Sequence, residues 1–238
     1  MTLFLTSILR THFYGDDGER IPVALDDENG ILSQIRKRLN RTENLVLVAN
    51  DPADADDNDA KLSVIGESFR LTGLDFDNYT VLDDRNKKSA HKIVSGADIV
   101  ILSGGKCVCQ NAFFANIGLR SILKNYDGIV IGISAGSMNM CETVANFPEE
   151  PADIPEPRWF SGMGFVDDII IPHFDGSTET YQFPCADFDI AKDYIMPMSF
   201  GYELTGLPNG AYIIVESDGR KEYCGDVYSI YNGKSTKR

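Results

Sequence analysis

Short apolar runs alternate with amphipathic stretches over the first 133 residues, and this rhythm constrains the fold more than any other feature of the sequence. The apolar runs predict five strands: Leu3–Leu9, Asn44–Ala49, Tyr79–Leu82, Asp98–Leu102 and Gly128–Ile133. The amphipathic stretches predict four helices: Asn29–Leu39, Ala60–Thr72, Lys87–Ser95 and Phe113–Lys124. This alternation is typical of a mostly parallel sheet covered by helices on both faces, a three-layer α/β sandwich.

The pattern is less regular after residue 134. The composition of Met138–Val144 favours a continuing helix. The segment 146–157 is acidic and rich in proline, which favours a loop, and Thr178–Ile195 is predicted to be partly helical. Further strands are predicted at four places: Asp168–Ile171, Ala211–Glu216, Glu222–Cys224 and Val227–Tyr231. Asp-Gly at 218–219 and Asn-Gly at 232–233 favour hairpin turns. Because 238 residues, 43% of them hydrophobic, suffice for one core, we expect a single domain spanning residues 1–238.

Charge and cysteine usage narrow the classes of function. With 36 acids against 22 bases, the net charge of −14 argues against partners that are nucleic acids or anionic membranes. No apolar run approaches the roughly 20 residues that span a bilayer. Five cysteines, an odd number without zinc-site spacing, favour reduced thiols in a cytoplasmic protein, and no metal or organic cofactor is implied. Asp51–Asp59 lacks the glycine and final glutamate of a calcium loop and is interpreted as a solvated acidic loop.

The most informative segment is Ile129–Asn139, IVIGISAGSMN. An apolar strand enters Gly-Ile-Ser-Ala-Gly and helix-forming residues follow, which is the layout of a nucleophile elbow. Such a turn would lift the hydroxyl of Ser134 above the carboxyl end of the sheet, with the N–H of Ala135 facing a developing oxyanion. A structural turn with a capping serine fits the motif equally well.

Two other strand ends carry candidate residues. IVILSGG ends in Gly104 and Gly105, whose backbone N–H groups could approach a bound carbonyl at the ligand crevice of an open α/β sheet. His173 follows the apolar run III and a proline, and it is the only one of the three histidines placed like a base. A serine nucleophile needs such a base near neutral pH. Taken singly, a tight turn and a structural histidine are the simpler interpretations.

The segments VILSGG, IGISAGS, IIPHF and TGLPNGAYIIV, in this order over residues 98 to 231, resemble the aspartyl dipeptidase (peptidase E) and cyanophycinase family of serine peptidases. The resemblance implies a fold like that of class I glutamine amidotransferases, of flavodoxin-like architecture. It also implies that Ser134 is the nucleophile and His173 the general base, with Gly104, Gly105 and Ala135 at the oxyanion. A homodimer is compatible with it.

The third member of the triad departs from the family pattern. The family has a glutamate in Leu-Pro-Glu-Gly, whereas this chain has Asn209 in Leu-Pro-Asn-Gly. An asparagine can orient a histidine but supplies no charge to the imidazolium. Asn209 is therefore the first candidate for the third catalytic residue, and the carboxylates Glu203, Glu216 and Glu179 are the alternatives.

The expected substrate is a small peptide, but its side chain should not be the negatively charged aspartyl group that the family resemblance implies. From His173 to Ala191 there is no Arg or Lys that could hold an aspartyl side chain, and Asp175 and Glu179 would repel one. Residues expected to contact substrate are Gln110, Thr178, Glu179 and Tyr181. We therefore predict a serine-type peptidase that cleaves Asp-Xaa dipeptides poorly. The alternative is a weak or inactive relative that binds a peptide or small ligand.

Overall fold

The structure, a computed structural model, describes residues 1–156, 158–181, 185 and 187–238. Its strands are β1 Thr2–Thr6, β2 His12–Tyr14, β3 Arg20–Pro22, β4 Asn44–Val48, β5 Asn78–Leu82, β6 Ile99–Leu102, β7 Ile129–Ile133, β8 Thr143–Ala145, β9 Trp159–Ser161, β10 Ile170–Pro172, β11 Leu204–Leu207, β12 Tyr212–Val215, β13 Lys221–Cys224, β14 Tyr228–Tyr231 and β15 Lys234–Lys237. Its α-helices are α1 Ile31–Arg38, α2 Ala55–Leu71, α3 Ala90–Ser95, α4 Cys107–Asn116, α5 Leu119–Leu123, α6 Ala135–Met140 and α7 Met196–Met198. Short 3-10 turns lie at Glu28–Gly30, Lys87–Ser89 and Pro151–Asp153, and a π-helical turn at Ile190–Ile195.

The main sheet has seven strands in the order β13-β12-β1-β7-β6-β4-β5. Strands β1, β7, β6, β4 and β5 pair in parallel, and β12 and β13 extend the sheet as an antiparallel edge. The mostly parallel α/β fold predicted from the strand–helix rhythm is therefore confirmed.

Helices cover both faces of this sheet, as its continuously apolar strands require. Side chains alternate between two apolar clusters, so Ile101 of β6 packs with Phe69 of α2 on one face and Leu102 packs with Phe114 of α4 on the other. Because both faces are covered, all four residues of β6 are buried, and the three layers follow from this packing.

A second sheet of four strands, in the order β10-β11-β14-β15, was not predicted. Strands β10 and β11 pair in parallel, with Pro172 opposite Leu207, so the residues that follow both strands emerge at one edge. Strand β11 escaped prediction because four residues with a central glycine, LTGL, carry almost no periodic signal. The predicted hairpin turn at Asn232-Gly233 joins β14 and β15, with the two positive φ values of 50° and 71° that this turn needs.

Three local predictions were wrong: the acidic loop at Asp51–Asp59, the helix at 138–144 and the single helix at 113–124. The acidic loop at Asp51–Asp59 is only partly a loop, because Asp54 caps the helix that starts at Ala55 by accepting the N–H of Asp57. Acidic residues are favoured at the amino end of a helix because their negative charge interacts favourably with the positive end of the helix dipole.

The helix predicted at 138–144 ends at Met140 and is followed by strand β8, and the helix predicted at 113–124 is two helices that meet at Gly118. The partly helical 178–195 forms its turn only at Ile190–Ile195, and residues 182–184 and 186 of this prediction lie outside the described residues. In the part of the chain described, no helix is long and apolar enough to cross a membrane.

Candidate active site

Ser134 lies at the sharp turn between β7 and α6 and has φ 49° and ψ −110°, a backbone conformation that side-chain-bearing residues rarely adopt. The two flanking glycines make this turn possible. A Cβ at Gly132 would lie 2.7 Å from the Ser137 nitrogen, and one at Gly136 would lie 2.3 Å from the carbonyl oxygen of Leu102. The Gly-x-Ser-x-Gly spacing is thus required by the close approach of α6 to the sheet.

The neighbouring strand β1 holds this turn in place. The Ser134 N–H donates to the carbonyl of Thr6 at 2.9 Å. The buried hydroxyl of Ser137 lies 2.8 Å from the backbone nitrogen of Thr6 and 2.9 Å from the carbonyl of Gly132. The unusual backbone of Ser134 is therefore fixed by its surroundings.

His173 and Asn209 reach Ser134 from the second sheet. They follow the paired ends of β10 and β11, which brings the two side chains to one edge. The His173 Nε2 lies 3.2 Å from Ser134 Oγ, and its Nδ1 lies 2.7 Å from Asn209 Oδ1. With the ring proton on Nδ1, His173 donates to Asn209 and keeps the Nε2 lone pair for the serine hydroxyl proton.

The alternative carboxylates lie elsewhere. Glu203 accepts hydrogen bonds from Ser229 and Arg238, and Glu216 binds Arg38 at 2.7 Å. Glu179 is exposed, and its backbone N–H bonds Ser177. The structure therefore brings Asn209 to His173, whereas the carboxylates of Glu203 and Glu216 have other partners and Glu179 is exposed.

Burial controls the protonation of His173, whose exposed fraction is 8%. Desolvation lowers the pKa of His173 below its ordinary 6.5, and the hydrogen bond with Asn209 acts in the opposite direction. The imidazole is therefore neutral at neutral pH, which is the form that can accept a proton.

Sequence reasoning missed Ser7. Its buried hydroxyl donates to the carbonyl of Leu207 at 2.6 Å and accepts the backbone N–H of His173 at 3.1 Å. It thereby holds His173, which has φ 58°, against the end of β11. The only sequence signal that could have identified Ser7 is its position directly after strand β1, which ends at Thr6.

The Gly104–Gly105 turn lies beside the elbow. A Cβ at Gly104 would lie 3.5 Å from the Ser134 Cβ, and one at Gly105, where φ is 132°, would lie 2.3 Å from the Asn50 side-chain nitrogen. Gly105, Ser134 and Ala135 line one cavity of about 290 Å³. The two turns predicted to supply oxyanion donors therefore open onto the same space.

The wall of this cavity is acidic, a feature that sequence reasoning treated only as part of a loop. Among the residues that the structure describes, four carboxylates line it, against the single cation of Lys106: Glu149, Glu150, Asp153 and Glu156. Partial desolvation raises the pKa of Glu149, and repulsion from Asp153 and Glu150 acts in the same direction. The cavity therefore carries excess negative charge next to the Ser134 hydroxyl.

None of the four residues predicted to contact substrate lines this cavity. Gln110 is fully buried, and its amide is engaged by Ser103 and Asn139, so it lies beneath the surface that substrate can reach. Tyr181 is also buried and donates to the carbonyl of Pro172 at 2.7 Å. Thr178 and Glu179 are exposed and are not part of the cavity wall.

One cysteine thiol also lies in the cavity wall. Cys107 is buried there, and desolvation raises the pKa of its thiol far above the ordinary value, so it remains protonated and weakly nucleophilic. Within the described residues, no group of three or more His, Cys, Asp or Glu side chains could hold a metal ion.

A sharp strand-to-helix turn that carries a serine at the carboxyl end of a mostly parallel sheet places the chain among α/β proteins. The sequence profile of peptidase family S51 matches residues 25–222, and the chain belongs to this family. Membership supports a peptidase function, and specifically a serine peptidase.

Comparison with solved structures supports the fold. A 1.5 Å crystal structure of a Listeria monocytogenes EGD-e protein, provisionally called a peptidase E, superposes with a TM-score of 0.59. The sequences are 13% identical, and the match covers 94% of this chain and 98% of that one. No curated protein matches the sequence significantly.

Proposed function

We propose that this protein is a serine-type peptidase that cleaves small peptides through an acyl-enzyme on Ser134. The observation that carries the proposal is the contact of 3.2 Å between Ser134 Oγ and the Nε2 of a neutral, oriented His173. Family membership supports the same class of reaction. In this proposal Asn209 orients the imidazole, and the N–H groups of Gly105 and Ala135, with Gly104 shaping the turn, face the oxyanion.

In the proposed reaction, every proton transfer passes through one atom, the Nε2 of His173. As Ser134 Oγ bonds to the peptide carbonyl carbon, His173 Nε2 takes the hydroxyl proton, and the carbonyl oxygen becomes an oxyanion. When the C–N bond breaks, Nε2 gives that proton to the leaving amine. Water then attacks the ester with the same base, which releases the acid and regenerates the serine hydroxyl.

The neutral partner of His173 favours one alternative function. Asn209 cannot balance the charge of an imidazolium, and a carboxylate-to-amide change costs about 10⁴-fold in rate in a serine protease of another fold. A binding protein that retains the arrangement without turnover is therefore the second candidate.

Reaction with a fluorophosphonate probe separates the two functions. We expect covalent labelling of Ser134, found by mass spectrometry of the tryptic peptide, because the probe requires an activated hydroxyl next to oxyanion donors. Ser134→Ala is the control and should remain unlabelled. A folded wild-type protein that stays unlabelled at Ser134 would instead support the binding protein.

We further propose that the acidic cavity selects substrates with a cationic group. The four wall carboxylates offer attraction to an ammonium or guanidinium and repulsion to an aspartyl side chain. Since the acids are partly open to water, each contributes no more than about 1 kcal/mol. Their sum is enough for discrimination of about tenfold or more.

Dipeptide hydrolysis tests this preference. We expect kcat/KM for Arg-Ala to exceed that for Asp-Ala by about tenfold or more, because opposite charges attract and like charges repel in the cavity. The double variant Glu149→Gln, Glu156→Gln should reduce this ratio several-fold. The measurement is a competition assay with product analysis by chromatography.

The matched control is the double variant Asp16→Asn, Asp17→Asn, which removes two exposed acids in the β2–β3 turn and tests for an effect of overall charge. It should leave the ratio unchanged. A preference for Asp-Ala, or an equal loss in the control, would contradict the assignment of specificity to the cavity wall.

A further inference from the structure

Three side-chain amides join the helix that follows the Gly104–Gly105 turn to the helix that follows Ser134. Gln110 of α4 donates to the carbonyl of Ser103 and accepts at 3.0 Å from the Asn139 amide of α6. Asn139 also donates to the carbonyl of Cys107 at 3.0 Å and accepts at 2.9 Å from Asn111. We call Gln110, Asn111 and Asn139 the amide network.

The network is buried where apolar side chains would be the simpler choice. Gln110 and Asn139 are both fully buried, between two helices whose side chains Cys107 and Met138 belong to one apolar cluster. Burying two amides costs free energy unless their polar atoms are paired, and here each makes specific bonds. Such a pair specifies one relative placement of the helices, which apolar side chains of equal volume would not do.

The backbone groups that the network holds belong to the two turns at the cavity. Ser103 directly precedes Gly104, and Cys107 is the first residue of α4, so the bonds to their carbonyls hold the turn at both ends. Asn139 lies five residues after Ser134 on α6, the helix that presents the Ala135 N–H. The network therefore spans the two sources of oxyanion donors in the proposed site.

We propose that Gln110 and Asn139 are positioning residues, which fix the N–H of Gly105 relative to the N–H of Ala135. The proposal rests on the peptidase function proposed above. Gln110 acts through the backbone and does not touch substrate. Loss of one correctly aimed oxyanion donor costs about 10²-fold to 10³-fold in kcat, and a displacement of about 1 Å at a reacting group can cost 10²-fold.

The principal test is Gln110→Met, which keeps the volume of the side chain and removes its hydrogen bonds. With arginine p-nitroanilide as the probe substrate, we expect kcat to fall about 10²-fold while KM changes less than about twofold. The rate of fluorophosphonate labelling should fall in parallel. The pH at which activity is half lost on the acid side should not move, because Gln110 does not contact His173.

Asp98→Asn controls for loss of stability. Asp98 is buried at the opposite end of β6 and accepts two backbone N–H groups there, from Glu43 and Asn44. This variant should lower the melting temperature and leave kcat unchanged. An unchanged kcat in Gln110→Met, or an increase in KM alone, would overturn the positioning role.

A milder variant covers the case in which Gln110→Met does not fold. Asn111 is partly exposed at the rim of the network, and Asn111→Ala removes its bond to Asn139 together with a peripheral bond to the carbonyl of Ser161. We expect its kcat to fall several-fold at constant KM, and an unchanged kcat would overturn the proposal. A wild-type enzyme that neither cleaves nor labels would contradict the peptidase function instead, so the two failures are distinguishable.

Discussion

Alanine at Ser134 or at His173 is expected to reduce kcat/KM for peptide hydrolysis by at least about 10³-fold, with the double variant no less active than either single variant. Nucleophile and base act as one unit, so removing either removes the contribution of both. The expected loss is smaller than the 10⁶-fold of a complete triad, because Asn209 supplies no charge. The measurement is steady-state hydrolysis by all three variants, with circular dichroism to verify folding.

The pH dependence gives an independent check of the base. Only neutral His173 can accept the serine proton, so activity falls as the pH drops through the pKa of His173. Because desolvation places that pKa below 6.5, half of kcat/KM should be lost at a pH below 6.5. Asn209→Asp should move this point to higher pH and raise kcat/KM about tenfold, because a carboxylate stabilises the imidazolium.

Two results would contradict this assignment. Additive losses in the double variant would show that Ser134 and His173 act separately. If Asn209→Asp does not change the pH at which half of kcat/KM is lost, the 2.7 Å contact between Asn209 and His173 does not control the base.

Gly136→Ala should destabilise the protein by about 3 kcal/mol or more. The new Cβ would lie 2.3 Å from the carbonyl oxygen of Leu102 and 2.9 Å from the Leu102 Cβ, and the sheet backbone cannot rotate away as a side chain would. Helix α6 must therefore move and carry Ser134 with it. In a chain of this size the melting temperature should fall by roughly 6–12 °C, which calorimetry measures.

Gly96→Ala is the matched control. Gly96 is exposed with φ −93°, a conformation that alanine adopts freely, and the nearest atom to its added Cβ is 3.4 Å away. The stability of this variant should be unchanged or slightly raised. If Gly136→Ala melts at the wild-type temperature, α6 does not depend on the close contact that the glycine permits.

Local patterns were sufficient for the parallel sheet and for the two principal side chains. The alternation of apolar strands and amphipathic helices predicts the layers, because a strand buried on both faces must be continuously apolar. The elbow at Ser134 is readable because its glycines and serine are contiguous, and His173 is readable because a histidine after an apolar strand is rare in this chain. Asn209 was recognised through the family pattern, and its contact with His173 depends on the pairing of β10 with β11.

The sequence alone therefore determined the class of fold, the candidate nucleophile and the candidate base. The tertiary structure decided which of the four candidates faces His173, that Ser7 supports this histidine, and that Gln110 lies under the site instead of in it. It also decided that the acids of residues 149–156 line the cavity at Ser134. The physical reason is that periodicity and turn chemistry are local. The bond between Asn139 and Gln110 joins residues 29 positions apart and the bond between Ser7 and His173 joins residues 166 positions apart, and only the packing of distant strands and helices brings such residues together.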